Sequence, residues 1–422
     1  SSQAQTISGT LSTDTTLDAT SSPWRVTGDV IVENGVTLTI EPGCTLYFDS
    51  GVALQIKADG RLLAVGDEHR RITMTRPEGA SHRWGGVSFR YSYEANKIGY
   101  ADILHGDGKS QIIRIDHAEV VLDNLTWQTD DRTVVEVNNP SLIIQGCTFP
   151  SIGSVEVVHG NHLQDDDYLI LIGNTFGSPL GYNDVVDFSD CKKPGPILEA
   201  YNNIFLGGSD DGLDLDGVDA HVEGNIFMGF KKDNDGSGTS NAIATGLRYG
   251  KTSDIVVVRN IFYDNEHAVL LKEDCSMIAE NNTFVKCDSA VINFSEWPYR
   301  SVDPGKGAHL SGNIFWNNRQ LFENQFSHND KPDPIITADY CLMDSAFHYL
   351  GENNIFADPM FVNPEGDFHL LATSPAIGAG PNFLDMGAYI PAGISISGEP
   401  ADSTTATSAI LHISGPGITD YR

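Results

Sequence analysis

The sequence predicts an all-β fold, a single-stranded right-handed parallel β-helix in which short strands stack into one solenoid. Three observations predict it: a short phrase recurs along the chain, an asparagine holds a fixed place in it, and a phenylalanine follows that asparagine by two residues. The chain has 422 residues, of which 42 are glycine and 40% are hydrophobic. This composition suits many tight turns around one continuous core.

The repeated phrase reads, for example, NNIF at 202–205 and GNIF at 224–227, which start 22 residues apart. In such a coil the β-branched residue and the phenylalanine point to opposite sides of a strand, and the asparagine fills a tight turn. Stacked coils are therefore expected to form an asparagine ladder and a phenylalanine stack. The ladder is predicted at Asn174, Asn203, Asn225, Asn260, Asn282, Asn313 and Asn354, and the stack at Phe176, Phe205, Phe227, Phe262, Phe284 and Phe315.

The repeat also sets the predicted domain boundaries. Residues 25–380 are predicted to form the β-helix, with at least ten rungs. Residues 1–24 are predicted to be an N-terminal segment or cap. Residues 381–422 are predicted to be a C-terminal extension, either a linker or the start of a truncated following module, because the composition shifts towards Ser, Thr, Gly and Pro. Residues 357–380 are expected to cap the last rung.

The charge balance is strongly acidic, with 26 Lys and Arg against 57 Asp and Glu and a formal net charge of -31. Such a charge repels nucleic acid and anionic membranes and favours cation binding. No apolar run approaches the roughly 18 residues that a membrane span needs. The six cysteines lack C-x-x-C spacing, which favours buried thiols and leaves a Cys275–Cys287 bridge open.

The strands that follow the asparagine turns can be aligned with one another. The run NDVVDFS lies over DDGLDLD, and TGLRYG continues the pattern on the next coil. Asp187, Asp214 and Arg248 then share one column. Their apolar neighbours alternate with them along each strand and face the core, so this column is predicted to face outward.

Four aspartates are the predicted metal ligands: Asp187, Asp210, Asp211 and Asp214. Successive rungs lie about 4.8 Å apart, so two carboxylates of one column come close together. Clustered carboxylates repel one another unless a cation is present, and a set of oxygen ligands suits Ca²⁺ better than a soft metal. The alternative is a solvated Asp/Gly turn in a very acidic protein.

These residues resemble the site of polysaccharide lyase family 9, the calcium-dependent β-helical lyases of the pectate lyase type. The resemblance covers roughly residues 170–295. It implies that Asp187 matches the lone calcium-binding aspartate of the family and that Asp210, Asp211 and Asp214 match its D-D-x-x-D group. The catalytic base of the family is a lysine, whose place falls on Arg248 in this sequence, with Lys272 as the alternative.

The activity implied by the resemblance is β-elimination on a uronate-containing polysaccharide. Calcium would bind the substrate carboxylate, and a basic side chain would remove the proton at C5. The predicted partner is thus an acidic polysaccharide. Predicted substrate-binding residues, for which ordinary exposed loops are the alternative, are Lys231, Lys232, Tyr249, Lys251, Trp297, Tyr299 and Arg300.

Two other classes of function stay open at this stage. One is a non-catalytic glycan-binding or structural module of a surface protein. The other is a glycoside hydrolase of the same fold, in which Asp210 and Asp211 would act as a catalytic carboxylate pair. Because the first coils resemble those of exported bacterial β-helix proteins, a secreted or cell-surface bacterial protein is expected, and we expect a monomer.

Overall fold

The protein is described here from a computed structural model. The structure describes residues 5–128, 132–153, 155–233, 238–300, 302–326, 331–347, 351–389, 395–397 and 412–414. In these ranges the regular secondary structure consists of short strands joined by turns, with two short 3-10 helices at Ala19–Ser21 and Pro381–Phe383. No helix there combines the length and the apolar character that crossing a bilayer requires. The predicted right-handed parallel β-helix is confirmed.

Each full coil contributes a strand to three parallel sheets, which we name A, B and C. Sheet A contains the second half of β3 (Trp24–Val32), β6 (Leu54–Lys57), β9 (Val87–Arg90), the first halves of β12 (Gln111–Asp123) and β14 (Thr133–Gln145), β15 (Val158–Asn161), β18 (Val186–Cys191), β21 (Leu213–Val218), β24 (Asn241–Gly246), β27 (His267–Leu271), β30 (Ala290–Asn293) and β33 (Phe322–Glu323).

Sheet B lies next to sheet A along the chain. It contains β2 (Thr15–Leu17), β4 (Thr37–Ile40), β7 (Arg61–Val65), β10 (Asn96–Gly99), the second halves of β12 and β14, β16 (Tyr168–Ile172), β19 (Leu198–Tyr201), β22 (Ala220–Glu223), β25 (Asp254–Val258), β28 (Ser276–Glu280), β31 (Gly307–Ser311) and β34 (Ile335–Asp339). Over the described ranges this sheet has 13 strands, which agrees with the predicted number of rungs.

Sheet C closes each coil. It contains the first half of β1 (Gln5–Thr10), whose second half pairs with the sheet A part of β3, and the first half of β3, β5 (Thr45–Phe48), β8 (Ile72–Thr75), β11 (Ala101–Leu104), β13 (Thr126–Gln128), β17 (Thr175–Phe176), β20 (Ile204–Phe205), β23 (Ile226–Met228), β26 (Ile261–Tyr263), β29 (Thr283–Val285), β32 (Ile314–Trp316), β35 (Leu342–Met343) and β36 (Ile355–Phe356). Two antiparallel pairs follow, β37 (Phe361–Asn363) with β38 (Asp367–Leu370) and β39 (Ser395–Ser397) with β40 (His412–Ser414).

The N-terminal strands already belong to the stack, since β1 pairs with β3 and β2 with β4. The proposed divisions at residues 24 and 380 remain predictions. Most of the predicted C-terminal extension lies outside the described residues.

The asparagine ladder is present as a chain of side-chain hydrogen bonds between coils. Asn225 Nδ2 donates to Asn260 Oδ1 at 3.0 Å and to the Ala200 carbonyl at 2.9 Å. Its Oδ1 accepts from the backbone N–H and the Nδ2 of Asn203. Because Asn225 is fully buried and its amide is satisfied on both sides, it closes the turn between sheets B and C without leaving a side-chain polar group unpaired.

Two cysteines take the asparagine position, Cys147 on the coil before Asn174 and Cys341 between Asn313 and Asn354. The backbone N–H of Cys147 donates to Asn174 Oδ1 at 2.9 Å, and that of Cys341 donates to Asn354 Oδ1 at 2.8 Å. All six cysteines of the chain are buried and free, so the possible Cys275–Cys287 bridge is not formed.

The phenylalanine stack runs through the core beside the ladder. Its ring centroids are 4.5 to 5.2 Å apart from Phe176 to Phe315, with nearly parallel planes. Phe149 and Trp127 extend it by two rungs, at 4.7 and 5.5 Å. The predicted stack is therefore confirmed and is longer than the repeated phrase indicated.

Residues 357–389 do not lie where a cap of the last rung was expected, because they pack along the outer face of sheet C. Phe361, Phe368 and Met386 form a second apolar cluster with side chains that point outward from β26, β29, β32 and β35. The Ala388 N–H also donates to Thr283 Oγ1 at 2.9 Å. The physical reason is that this face of sheet C is apolar and needs a cover.

We predict that Asn225→Ala lowers the free energy of unfolding by about 2–3 kcal/mol, because it leaves buried groups on two neighbouring coils unpaired. Urea denaturation followed by circular dichroism measures this change. Asn363→Ala is the matched control, because the Asn363 side chain is exposed and its Oδ1 accepts a local hydrogen bond from the Glu365 N–H. Equal stability of the two variants would contradict a structural role for the ladder.

Candidate functional site

Two stacked D-x-x-D runs form the centre of the site on sheet A. The register of β18 with β21 places Asp187 level with Asp214, as the sequence alignment predicts. The same register places Asp184, three residues before Asp187, level with Asp211. Each run carries one aspartate just before its strand and one within it.

The aspartates that precede the strands come closest together. Carboxylate oxygens of Asp184, Asp210 and Asp211 all lie within 4.8 Å of one another. Asp184 Oδ1 accepts from the backbone N–H of Asp211 at 3.0 Å. On the next coil, Asn241 Nδ2 donates to Asp211 Oδ1 at 2.7 Å and fixes that carboxylate. The backbone register thus builds the cluster, and one amide orients it.

The cluster opens into a cavity of about 230 Å³. The sides of this cavity come from sheet A and from the loops on either side of it. Its lining includes all the predicted metal ligands and two predicted basic residues, together with side chains that the sequence did not single out. The lining residues are Glu156, Tyr182, Asp184, Asp187, Asp210, Asp211, Asp214, Asp216, Gly238, Thr239, Asn241, Lys272, Glu296 and Arg300.

The six aspartates of the cavity have raised pKa values. Burial is the largest cause for each, and the neighbouring carboxylates add to it at Asp184, Asp211 and Asp214, whose pKa values lie well above the usual range. Burial raises the pKa of Asp187 and of Asp210 to about 6, although His159 and Lys232 respectively act to lower them. Protons are therefore held where several negative charges would otherwise be packed together.

Lys272 is the more buried of the two basic residues that line the cavity, the other being Arg300. It directly follows β27, and its Nζ donates to Glu296 Oε1 at 2.7 Å. Both side chains are largely buried. Burial acts to lower the pKa of Lys272, but Glu296, Asp214 and Asp211 together raise it above its usual range. In this arrangement the lysine is charged.

The predicted column of Asp187, Asp214 and Arg248 is wrong at its last member. The residue level with Asp214 is Ala244, four positions earlier in the chain. Arg248 and Leu247 lie beyond the end of β24, where Leu247 is 45% exposed and does not reach the core. The run TGLRYG imitates strand alternation, but its second half is a tight hairpin closed by reciprocal backbone hydrogen bonds between Arg248 and Lys251.

Other predicted residues of this region also lie outside the cavity lining. The Arg248 guanidinium lies over the exposed ring of Tyr249 at 4.9 Å. Lys251 forms an ion pair with Asp190. Lys231 forms ion pairs with Asp264 and Asp288, at 2.6 and 2.8 Å.

The remaining predicted substrate-binding residues lie on or near the rim. Arg300 lines the cavity, and Lys232 lies over the ring of Tyr182 at 5.3 Å. Trp297 and Tyr299 belong to the same loop as Arg300 and are 44% and 55% exposed. Their roles in binding remain predictions.

Several residues of the site escaped the sequence reasoning. Asp184 could have been found, because DVVD and DGLD have the same spacing. His159 stands level with Asp187 on the preceding coil, and its Nδ1 lies 2.9 Å from Glu136 Oε2. This hydrogen bond raises the pKa of His159 to about 9. Tyr182 and Glu296 come from loops and carry no periodic signal.

The residues present fit a calcium ion. The donor set consists of carboxylate oxygens, which calcium prefers. Among the described residues, none of the carboxylates of Asp184, Asp210, Asp211 and Asp214 is within ion-pair distance of a basic side chain. Asp187, in contrast, lies 3.7 Å from His159 Nε2. The geometry therefore favours Asp184 over Asp187 as the ligand from the first of the two coils.

The comparisons with known proteins concern the fold. Residues 9–112 match the sequence model of a family described as a pectate-lyase-like β-helix domain. The chain has a pectate-lyase-like β-helix fold. A search of curated proteins found no match. The matched residues precede the carboxylate cavity, so the match itself assigns no activity to the cavity.

Similar solved structures include proteins with different activities. Pectate lyase Pel9A is 15% identical, with 85% of this chain and 88% of that chain covered and a TM-score of 0.39. The catalytic domain of a GH87 α-1,3-glucanase is 11% identical, with 71% and 63% covered and a TM-score of 0.38. The Dettilon tailspike protein is 11% identical, with 72% of this chain covered and a TM-score of 0.38. This chain covers 61% of the tailspike chain. These similarities assign no activity to the protein.

We predict a pH effect on stability in the presence of a chelator. A carboxyl group whose pKa is higher in the folded state stabilises the fold at low pH, and that contribution is lost as the pH rises. For Asp210 this stability is lost as the pH rises from the ordinary pKa of 3.8 to the raised pKa of about 6. The melting temperature of the wild type, measured relative to Asp210→Asn, should therefore fall between about pH 4 and pH 6.

His159→Asn is the control for this prediction. The pKa of His159 is raised from 6.5 to about 9, so the stability that His159 contributes is lost only between those pH values. His159→Asn should therefore keep the fall in melting temperature between about pH 4 and pH 6 that Asp210 causes. A difference between wild type and Asp210→Asn that does not change across the acidic range would contradict the raised pKa of Asp210.

Proposed function

We propose that the protein is a calcium-dependent lyase of the polysaccharide lyase family 9 type, which cleaves a uronate-containing polysaccharide by β-elimination. The observation that carries the proposal is a cluster of buried carboxylates, without ion-pair partners among the described residues, that shares one cavity with Lys272. Both parts are required for this chemistry, a cation site for the substrate carboxylate and a base for the neighbouring proton. The proposed substrate implies a secreted or cell-surface bacterial protein.

Asp184, Asp210 and Asp211 would hold the calcium ion, with Asp214 beside them on β21. Asn241 keeps the Asp211 carboxylate in place through its 2.7 Å hydrogen bond. When bound, calcium supplies a Lewis acid that neutralises the substrate carboxylate and so acidifies the proton at C5. Asp187, held beside His159, would then contribute negative charge without being a principal ligand.

Lys272 is the proposed base. Its Nζ lone pair takes the C5 proton, the electrons of the C5–H bond form the C4–C5 double bond, and the C4–O bond breaks with its electrons going to the leaving oxygen, which is protonated in turn. Lys272 must be neutral to do this. A cation on Asp211 and beside Asp214 would offset two of the three carboxylates that raise the lysine pKa and so favour the neutral form.

Arg248 is the weaker candidate for the base. It is exposed, lies outside the cavity lining and is held in a hairpin against Tyr249. An arginine also stays protonated under ordinary conditions, since its pKa exceeds about 12. We therefore assign the base to Lys272 and treat Arg248 as a surface residue near the site.

Glycoside hydrolysis is the second candidate function. It is favoured by the raised pKa of Asp210, about 6, beside carboxylates that could act as its partner. A hydrolase needs one protonated and one ionised carboxyl group. The buried Lys272 has no role in hydrolysis, so we rank the hydrolase below the lyase.

The decisive assay follows the ultraviolet absorbance of the unsaturated product on pectate, alginate and glycosaminoglycans, with and without calcium. We predict calcium-dependent product formation, and a decrease in kcat of about 10²- to 10⁴-fold in Lys272→Met, as expected for loss of a general base. Arg248→Ala is the control and should keep its activity. New reducing ends without ultraviolet absorbance would identify a hydrolase. Full activity of Lys272→Met would remove Lys272 from the mechanism.

Calcium binding can be tested without activity. Calcium at about 100 times its dissociation constant should stabilise the fold by about 2.7 kcal/mol. Asp211→Asn should abolish most of this effect, because it removes one ligand and changes little of the shape. Asp165→Asn, at an exposed aspartate outside this cavity, should respond as the wild type does. If calcium leaves the wild-type melting temperature unchanged after chelation, the proposed site does not bind it.

A further inference from the structure

Tyr182 lies at the mouth of the carboxylate cavity, where three loops meet. Tyr182 precedes β18, Lys232 follows β23, and Arg300 belongs to the loop between β30 and β31. The tyrosine is 61% exposed, although its neighbours Asp184 and Val185 are at least partly buried. A large aromatic side chain is therefore held at the entrance, with most of its surface free to be covered.

The position of the ring is fixed by two cationic side chains. Arg300 donates from a guanidinium nitrogen to the Tyr182 hydroxyl at 2.8 Å. Lys232 Nζ lies 5.3 Å from the centre of the Tyr182 ring. Because these partners come from different coils, the arrangement depends on the tertiary structure and does not arise from neighbours in sequence.

The same residues connect the entrance to the proposed base. Arg300 Nε lies 3.4 Å from Glu296 Oε2, and the other oxygen of Glu296 accepts from Lys272 Nζ at 2.7 Å. An occupant that binds between Tyr182 and Arg300 would thus lie beside the catalytic lysine and the carboxylate cluster.

The chemistry of this entrance selects a sugar that carries an acid. An exposed tyrosine ring covers the C–H face of a pyranose and keeps a polar edge for hydrogen bonding. A guanidinium and an ammonium group beside the ring bind a carboxylate through charge-assisted hydrogen bonds. A neutral sugar would use the ring alone, whereas a uronate would use the ring and both cations.

We infer that Tyr182 is a specificity-determining residue, which with Lys232 and Arg300 forms a subsite for an acidic sugar next to the carboxylate cavity. The inference rests on the proposed function, because the subsite would bind the uronate adjacent to the one held at the cluster. It adds the requirement that two neighbouring sugars of the substrate are acidic.

The test compares the binding of acidic and neutral oligosaccharides in calcium. The probes are oligomers of galacturonate, alginate and chondroitin, each with its carboxyl-reduced counterpart. Titration calorimetry is done in the Lys272→Met background, which prevents turnover, and KM and kcat are measured in the wild-type background. Tyr182→Leu should weaken binding of the acidic oligosaccharide and raise KM about tenfold. The variant loses the contact of the ring with the sugar and the hydrogen bond by which Arg300 is held at the Tyr182 hydroxyl.

Three further variants sharpen the test. Tyr182→Phe keeps the ring and loses the hydrogen bond of Arg300, so its effect should be smaller than that of Tyr182→Leu. Lys232→Met should reduce the preference for the acidic over the neutral oligosaccharide. Tyr93→Leu is the matched control, since Tyr93 is 58% exposed and lies outside the cavity lining, and it should bind as the parent does.

The outcomes separate this inference from the proposed function. If Tyr182→Leu binds and turns over substrate as the parent does, the subsite is overturned and the lyase stands. If selective, Tyr182-dependent binding of acidic oligosaccharides occurs without any unsaturated product, the lyase is overturned and the subsite stands. If the parent binds none of the three acidic probes, or binds the reduced forms equally well, the subsite is overturned.

Discussion

The hydrogen-bonded register between successive coils is the constraint on which the rest of the structure depends. Strands of one sheet pair residue for residue with those of the next coil, about 4.8 Å away, so a residue type that recurs in register becomes a column. A column of amides satisfies its own hydrogen bonds, and a column of phenylalanines buries its own faces. A column of carboxylates does the opposite, because its members repel. One backbone rule therefore makes a stable core at Asn225 and an electrostatically strained patch at Asp211.

Features carried by repetition could be predicted from the sequence. The asparagine ladder, the phenylalanine stack and the pairing of Asp187 with Asp214 all follow from equal spacing relative to core residues. The same reasoning failed at Arg248 because all six residues of β24 are buried, so the strand shows no alternation by which its register could be recognised. The next run that did show alternation was a hairpin.

The contacts among the other residues of the site could not be predicted, for a different physical reason. Tyr182, Glu296 and Arg300 are delivered by loops between strands, and the path of a loop depends on packing against the finished solenoid. Glu296 meets Lys272 across 24 positions of the chain, and Arg300 meets Tyr182 across 118. Periodicity contains no information about such contacts. The sequence identified Asp187, Asp210, Asp211 and Asp214 and singled out Lys272 and Arg300, but it missed Asp184 and the loop contacts that orient the site.

The strip of residues 357–389 along sheet C bears on the order in which the molecule can be made. Coils that touch only their neighbours can form one after another as the chain leaves the ribosome. This strip breaks that locality, since Ala388 bonds to Thr283, 105 positions earlier. Its docking surface exists only once β26, β29, β32 and β35 are stacked. During synthesis the outward side chains of Ile261, Val285 and Ile314 are therefore exposed to solvent until the strip has been made and has docked. In that interval this apolar face is open to aggregation with other chains.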